Sequence, residues 1–323
     1  MIFKKIRQKY LCICTLALLL LIGCDSAKQD LNIEISNNTN PWTNLNFAND
    51  PAEFQFAIVS DLTGGYHPPT FEQAVQKINL LKPEFVMSIG DLIEGGKLAK
   101  SENAEGKMVP DPKKVNAQWN QFDSWLQPLK APFFYVPGNH DIMNATMKKV
   151  WKQRLGKSYY HFVYKNTLFL CINTQDPQLY GITDNQIEYL EQTLRQNKNV
   201  RWTLLFMHRP LWTYLNRKSK SKGHYLKTIE NYEKLEQLLA DRPYTVFAGH
   251  NHAYSKTVRN NRNHYVLSST GAGGGSTKLP IEQRLAPENK GRFYHIMWVT
   301  MTDQGPVVAN LMLDAILDDE AKK

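Results

Sequence analysis

From about residue 53 onward, short apolar runs rich in β-branched and aromatic residues alternate with stretches whose apolar positions recur at helical spacing. Phe54-Gln55-Phe56-Ala57-Ile58-Val59-Ser60-Asp61 reads as a strand. A 3.6-residue period then predicts a helix near 71–81, and Glu84-Phe85-Val86-Met87-Ser88-Ile89-Gly90-Asp91 reads as a second strand. A second helix is expected near 115–129, followed by the strand Phe133-Phe134-Tyr135-Val136 and then Pro137-Gly138-Asn139-His140-Asp141. Two more apolar runs end on histidine: 201–207 leads to His208, and 244–249 leads to His250-Asn251-His252. Such β-α-β alternation predicts an α/β fold, and hairpin-like stretches at 254–270 and 292–312 add an antiparallel portion, so the sheet should be mixed.

The first 52 residues follow another pattern. Lys4, Lys5, Arg7 and Lys9 precede an apolar run from Leu11 to Ile22, too short to span a bilayer comfortably and proportioned like a secretory signal. It closes on Leu21-Ile22-Gly23-Cys24, which resembles a bacterial lipobox; the resemblance implies lipidation of Cys24 and an extracytoplasmic, membrane-anchored protein. On that reading 1–23 is a signal peptide and 24–52, polar and Asn-rich, a tether. A domain follows over 53–315, with a charged tail at 316–323. The membrane leaflet stays open.

Charge and cysteine content matter only after this division. The formal charge of +9 includes four leader cations, and without them about +5 remains, weak support for a nucleic-acid module that also lacks a regular stacking-aromatic motif. With Cys12 and Cys14 in the leader and Cys24 acylated, Cys171 stays a lone thiol, and stability must come from packing or metal. The 42% hydrophobic content suffices for one sizeable core.

Open α/β sheets present ligands beyond the carboxyl ends of their strands. Those ends carry Asp61, Asp91, Asn139, His140, Asp141, His208, His250 and His252, a set of carboxylates, imidazoles and one amide without thiolate. Mixed oxygen and nitrogen donors suit Mn, Zn or Fe, and two cations need a carboxylate able to bridge them. Paired metals about 3.5–4 Å apart can clamp the attacking and leaving oxygens of a phosphoryl displacement.

The ordered blocks Gly90-Asp91, Gly138-Asn139-His140-Asp141, His208 and Gly249-His250-Asn251-His252 resemble those of the calcineurin-like metallophosphoesterases. The resemblance implies a four-layer α/β/β/α sandwich holding two divalent or trivalent metals, with Asp91 bridging. It implies Asp61 and His252 at the first metal, Asn139, His208 and His250 at the second, and a metal-bridged hydroxide that attacks a phosphomonoester or phosphodiester. His140, next to a ligand but projecting differently, is the candidate general acid, and Asp141 is expected to orient or charge its imidazole. The substrate is then a phosphorylated small molecule or nucleotide-type ester, and no obligate protein partner is called for. A non-catalytic, metal-supported binding protein for anionic ligands is the competing reading.

One block departs from the family pattern. Asp61-Leu62-Thr63 stands where Asp-x-His is usual, so a first-site ligand is missing; His67 and Glu94 are nearby replacements, with a solvent or substrate-facing role as the alternative for His67. His161, His224, His264 and His295 read as packed or surface residues. The run Gly271–Ser276 is expected as a flexible turn, Arg217–Lys222 as a solvated loop and 95–115 as a polar loop at the substrate rim. Trp212 and Tyr254 fit either packing or base stacking.

Overall fold

The computed structural model describes residues 50–176, 181–220, 223–273 and 291–313. The chain divides into Met1–Pro51 and Ala52–Lys323. The leader, Cys24, nearly all of the tether and the charged tail lie outside the described residues.

In the second unit the chain opens with β1 (Phe54–Val59), α1 (Thr70–Leu81) and β2 (Val86–Ser88). A 3-10 turn at Gly96–Ala99 leads to the small hairpin β3 (Lys100–Glu102) and β4 (Met108–Pro110), then to α2 (Pro112–Leu126), β5 (Phe133–Phe134) and α3 (Ala145–Leu155). Next come β6 (Tyr160–Tyr164), β7 (Thr167–Ile172), α4 (Asp184–Gln196), β8 (Trp202–Met207), a 3-10 segment at Leu211–Lys220 and α5 (His224–Leu238). The strands β9 (Tyr244–Ala248), β10 (Ser255–Arg259), β11 (Arg262–Val266), β12 (His295–Thr302) and β13 (Gly305–Met312) complete it.

Two mixed sheets result, ordered β13-β12-β1-β2-β5 and β10-β11-β9-β8-β7-β6. In the first, β1, β2 and β5 run parallel with β12 antiparallel; in the second, β7, β8, β9 and β11 run parallel between antiparallel edges. The period-2 geometry of a strand explains the layering. Phe54, Phe56 and Ile58 of β1 point into a core shared with Phe169, Phe206 and Phe247 of the other sheet. Ala57 and Val59, from the opposite face, pack with Phe71, Val75, Trp119, Phe122 and Trp151 of the helices α1, α2 and α3. On the far side Leu168, Leu205 and Val246 meet Ile187, Leu190 and Leu235 of α4 and α5. Three cores between four layers make an α/β/β/α sandwich, and its central core is lined by strands buried on both faces, which is why they read as continuous apolar runs.

Local signals account for the helix starts. Asp111 caps α2 by accepting from Lys113 N–H, with Pro112 in the first turn, and Asn144 and Thr183 cap α3 and α4 in the same way. On α1 the buried residues Phe71, Ala74, Val75 and Ile78 keep the i, i+3, i+4, i+7 spacing of a helix with one apolar stripe.

Several expectations needed correction. β1 and β2 stop at Val59 and Ser88, short of the aspartates, because Asp61 and Asp91 have φ of 49° and 56°, a left-handed conformation that ends a ladder. The polar stretch at 95–115 holds a 3-10 turn, a hairpin and the start of α2. The described part of the glycine run, Gly271–Gly273, is strapped to the first loop: Ala272 N–H donates to Asp61 O at 2.8 Å and Gly273 N–H to Gly65 O at 2.5 Å. Trp212, by contrast, takes the packing alternative expected for it, buried against His264 with ring centroids 5.0 Å apart. The side chains of the basic run after Asn216 lie outside the described residues.

Candidate metal centre

The ends of β1, β2 and β5 belong to one sheet and those of β8 and β9 to the other, so a site built from all five exists only where the two sheets meet. Direct bonds hold the ends together. Gly249 N–H donates to His208 O at 2.9 Å, His250 N–H to the Asp61 carboxylate at 3.1 Å, and His208 Nδ1–H to Ile89 O at 2.9 Å. The approach is so close that side chains are excluded at the preceding glycines. A Cβ on Gly138 would fall 2.2 Å from Asp91 N, and one on Gly249 2.4 Å from Asp61 Oδ2. Gly90 combines φ of 92° with a Cβ position 2.3 Å from Gly138 N. Asp61, Asp91, His250 and His252 all have positive φ, an unfavourable conformation that persists where surrounding bonds over-determine it.

Two groups of donor atoms converge, each within 4.8 Å: Asp61, Asp91 and His252 form one, Asp91, His208 and His250 the other. Asp91 belongs to both, the position of a bridging carboxylate. His252 Nε2 is 3.3 Å from Asp61 Oδ1, and His208 Nε2 is 3.3 Å from Asp91 Oδ2, 3.0 Å from Asn139 Oδ1 and 3.2 Å from His250 Nδ1. Because His208 gives its Nδ1 proton to a backbone carbonyl, it is Nε2 that faces this cluster, the nitrogen a metal would take once its proton is displaced. Asp61, Asp91 and His208 are buried. Two buried carboxylates this close repel unless a cation lies between them, so these residues fit a pair of metal ions.

The electrostatics show the same demand for positive charge. Burial opposes charge on Asp91, but His208 and then His140 outweigh it and hold the carboxyl below its usual range. Burial likewise opposes charge on His208, and the Asp91 carboxylate overrides it upward. His252 is raised by Asp61 against its own burial. His250 goes the other way, down to about 3, from burial, His208 and the Arg209 guanidinium.

His140 stands at the edge of the cluster, its side chain about one quarter exposed and Nε2 4.0 Å from Asp91 Oδ2. Its Nδ1–H donates to Glu94 O at 2.6 Å. Asp141, expected beside that imidazole, is instead turned into the backbone: its buried carboxylate accepts N–H groups of Asp91 at 2.8 Å, Leu92 at 2.8 Å, Ile93 at 3.1 Å and Gly138 at 2.7 Å. The carbonyl of Glu94, not Asp141, orients His140.

The departure at residue 63 also has a clear geometry. Thr63 Oγ1 lies 2.9 Å from Asp91 O and 2.7 Å from Ile93 O, so the hydroxyl is bound to backbone and not offered to a metal. Glu94 is no substitute: its carboxylate accepts the N–H groups of Gly64, Gly65 and Tyr66, which form a nest around it. The His67 ring packs near Tyr294, with centroids 6.0 Å apart, and joins neither donor group. Among the described residues, the first donor group therefore consists of Asp61, Asp91 and His252. The residue that sequence reasoning missed is Arg209, whose Nη1 is 3.0 Å from His250 Nε2. Its signal was a cation directly after a strand-end histidine.

An α/β/β/α sandwich with a carboxylate and imidazole cluster at the junction of its sheets defines the class of metal-dependent phosphoester hydrolases. The calcineurin-like phosphoesterase family model matches residues 54–254, and the chain belongs to that family. It is 23% identical over 224 residues to the 3',5'-cyclic adenosine monophosphate phosphodiesterase CpdA of Haemophilus influenzae, covering 66% of this chain and 70% of that protein. Among solved structures it resembles the purple acid phosphatase PPD1 of yellow lupin, with a TM-score of 0.57 and 16% identity over 83% of this chain; it spans 53% of the lupin protein's length. It also resembles GAP50, the anchor in the inner membrane complex of Plasmodium, with a TM-score of 0.53 and 15% identity over 81% of this chain and 85% of that one.

Proposed function

We propose that this chain hydrolyses a phosphomonoester or phosphodiester outside the cytoplasm, anchored to a membrane through lipid on Cys24. The observation that carries the hydrolytic part is the shared position of Asp91 between two converging donor groups. Two metal ions bound there would supply Lewis-acid stabilisation of phosphoryl oxygens and an activated water. Asp61 and His252 would hold the first ion and Asn139, His208 and His250 the second, with Asp91 common to both. His140, held through Nδ1 by the Glu94 carbonyl, presents a partly exposed Nε2 beside Asp91 and can deliver a proton to a leaving alkoxide. The likeness to a cyclic nucleotide phosphodiesterase favours a nucleotide-type ester among substrates.

Thr63 in place of a ligating histidine favours the second reading, a metal-supported binder without turnover. His140 weighs against it, since a binder needs no proton donor facing the leaving group. The test measures metal content of the purified protein together with hydrolysis of para-nitrophenyl phosphate and its bis-ester, with Mn or Zn, for the unaltered chain and His140→Ala. Metal-dependent turnover lost in His140→Ala supports the hydrolase; metal binding with no turnover across a broad phosphoester panel establishes the binder. The anchor is tested by labelled palmitate, which Cys24→Ser should no longer incorporate.

A further inference from the structure

Arg209 is an arm held by its stem. Its backbone N–H donates to Thr174 Oγ1 at 3.1 Å and its Nε–H to Gln175 Oε1 at 3.1 Å, which fixes the stem. Nη1 lies 3.4 Å from Tyr214 Oη and 3.0 Å from His250 Nε2. Among the described residues Nη2 has no partner. The arm springs from the residue after His208 and ends on His250, so the guanidinium borders the second metal position.

Its contact with His250 is incompatible with a filled site. A neutral imidazole has one N–H and one lone pair. The nitrogen that faces the donor cluster is Nδ1, 3.2 Å from His208 Nε2. Ligation through Nδ1 commits its lone pair and leaves the ring proton on Nε2. Nε2–H and the Arg209 N–H would then face each other as two donors, and the contact must open. Gln175 retains the Nε end, so the freed fork of Nη1 and Nη2 stays at the metal's edge, where its planar pair of donors matches two phosphoryl oxygens.

We propose that Arg209 is the substrate-anion clamp of this centre, released from His250 when the second metal binds and then fastened to the non-bridging oxygens of the phosphoryl group. The proposal rests on the hydrolase reading for its substrate, but not for its chemistry. A permanent cation added to two metals favours a dianionic phosphoryl group over a monoanionic one, so the clamp discriminates in favour of monoesters and terminal phosphates.

The experiment uses the full chain loaded with Mn²⁺, with inorganic phosphate as the probe in calorimetry, for the unaltered protein, Arg209→Gln and Arg209→Lys. Loss of a charged, bidentate contact should weaken phosphate about 10–100-fold in Arg209→Gln, with Arg209→Lys between the two because it keeps charge without the fork. Mn²⁺ should bind Arg209→Gln at least as tightly as the unaltered protein, because nothing then competes for His250. Gln175→Ala, which frees the stem, should weaken phosphate less than Arg209→Gln does. Where turnover is measured, kcat/KM for para-nitrophenyl phosphate should fall more than that for the bis-ester. Phosphate affinity within twofold of the unaltered protein in Arg209→Gln, at equal metal content, overturns the clamp. If phosphate binding weakens as expected while no ester is hydrolysed by any form, the clamp stands and the hydrolase reading fails.

Discussion

Asp141 offers the sharpest test of how this centre is built. Its carboxylate has no exposure and accepts four backbone N–H groups at 2.7–3.1 Å, three of them from the Asp91-Leu92-Ile93 turn that presents the carboxylate common to both donor groups. Asp141→Ala leaves all four donors buried without partners, and at about 1–3 kcal/mol each the loss reaches roughly 4–12 kcal/mol, comparable to the whole stability of a domain. Asp141→Asn is the more informative change, because it keeps the shape. Its amide oxygen can still accept from Leu92 and Ile93, but its NH₂ then faces the N–H groups of Asp91 and Gly138. Two charge-assisted bonds become donor-donor contacts, a loss of about 3–6 kcal/mol. Relief of repulsion from the Asp91 carboxylate offsets part of that. The assay is urea unfolding of the metal-free protein, where the midpoint should fall with the slope unchanged, together with metal content of the folded variant, which should also fall. If Asp141 served His140 instead, Asp141→Asn would unfold within about 1 kcal/mol of the unaltered chain and would shift only the pH profile of turnover. That outcome refutes the reasoning.

Other expectations follow from the same geometry. Gly138→Ala places a Cβ 2.2 Å from Asp91 N and Oδ1, against backbone that cannot yield, so the variant should bind neither metal normally and should melt well below the parent in calorimetry. His295 is buried, accepts from Ser268 N–H through Nε2 and is lowered to about 4 mainly by burial. It is neutral in the fold and protonated in the unfolded chain below its ordinary value, so its contribution is complete above pH 6.5 and is lost as pH falls from 6.5 to 4, up to about 3 kcal/mol. His295→Gln should therefore flatten the stability profile in that window, and an unchanged profile refutes the assignment. Metal that binds only the folded chain should raise its stability by about 2.7 kcal/mol at one hundred times the dissociation constant. Asp91→Asn should weaken that gain at both positions, whereas His250→Ala weakens it at one, as read by the number of metals retained after gel filtration.

The donor inventory was legible in the sequence because parallel strands expose their carboxyl ends at one side of a sheet, and five apolar runs ended on polar residues. The periodicity of Phe54, Phe56 and Ile58 against Ala57 and Val59 likewise contained the layering, since alternate strand residues must serve different cores. The glycines before Asp91, Asn139 and His250 were visible as part of the blocks. Their reason was not: it lies in contacts such as Gly138 against Asp91, 47 positions apart in the chain. The role of Asp141 was misread for the same cause, because its partners are backbone amides, which carry no sequence signature. Thr63 could be seen to lack an imidazole, but only the fold sends its hydroxyl to the carbonyls of Asp91 and Ile93. Arg209 became part of the site only once two sheets had packed and brought the end of β8 against the end of β9. The sequence by itself determined which residue types stand at the strand ends; the tertiary structure decided which of their atoms converge on one cluster, because orientation there depends on left-handed turns and long-range backbone hydrogen bonds that local pattern does not encode.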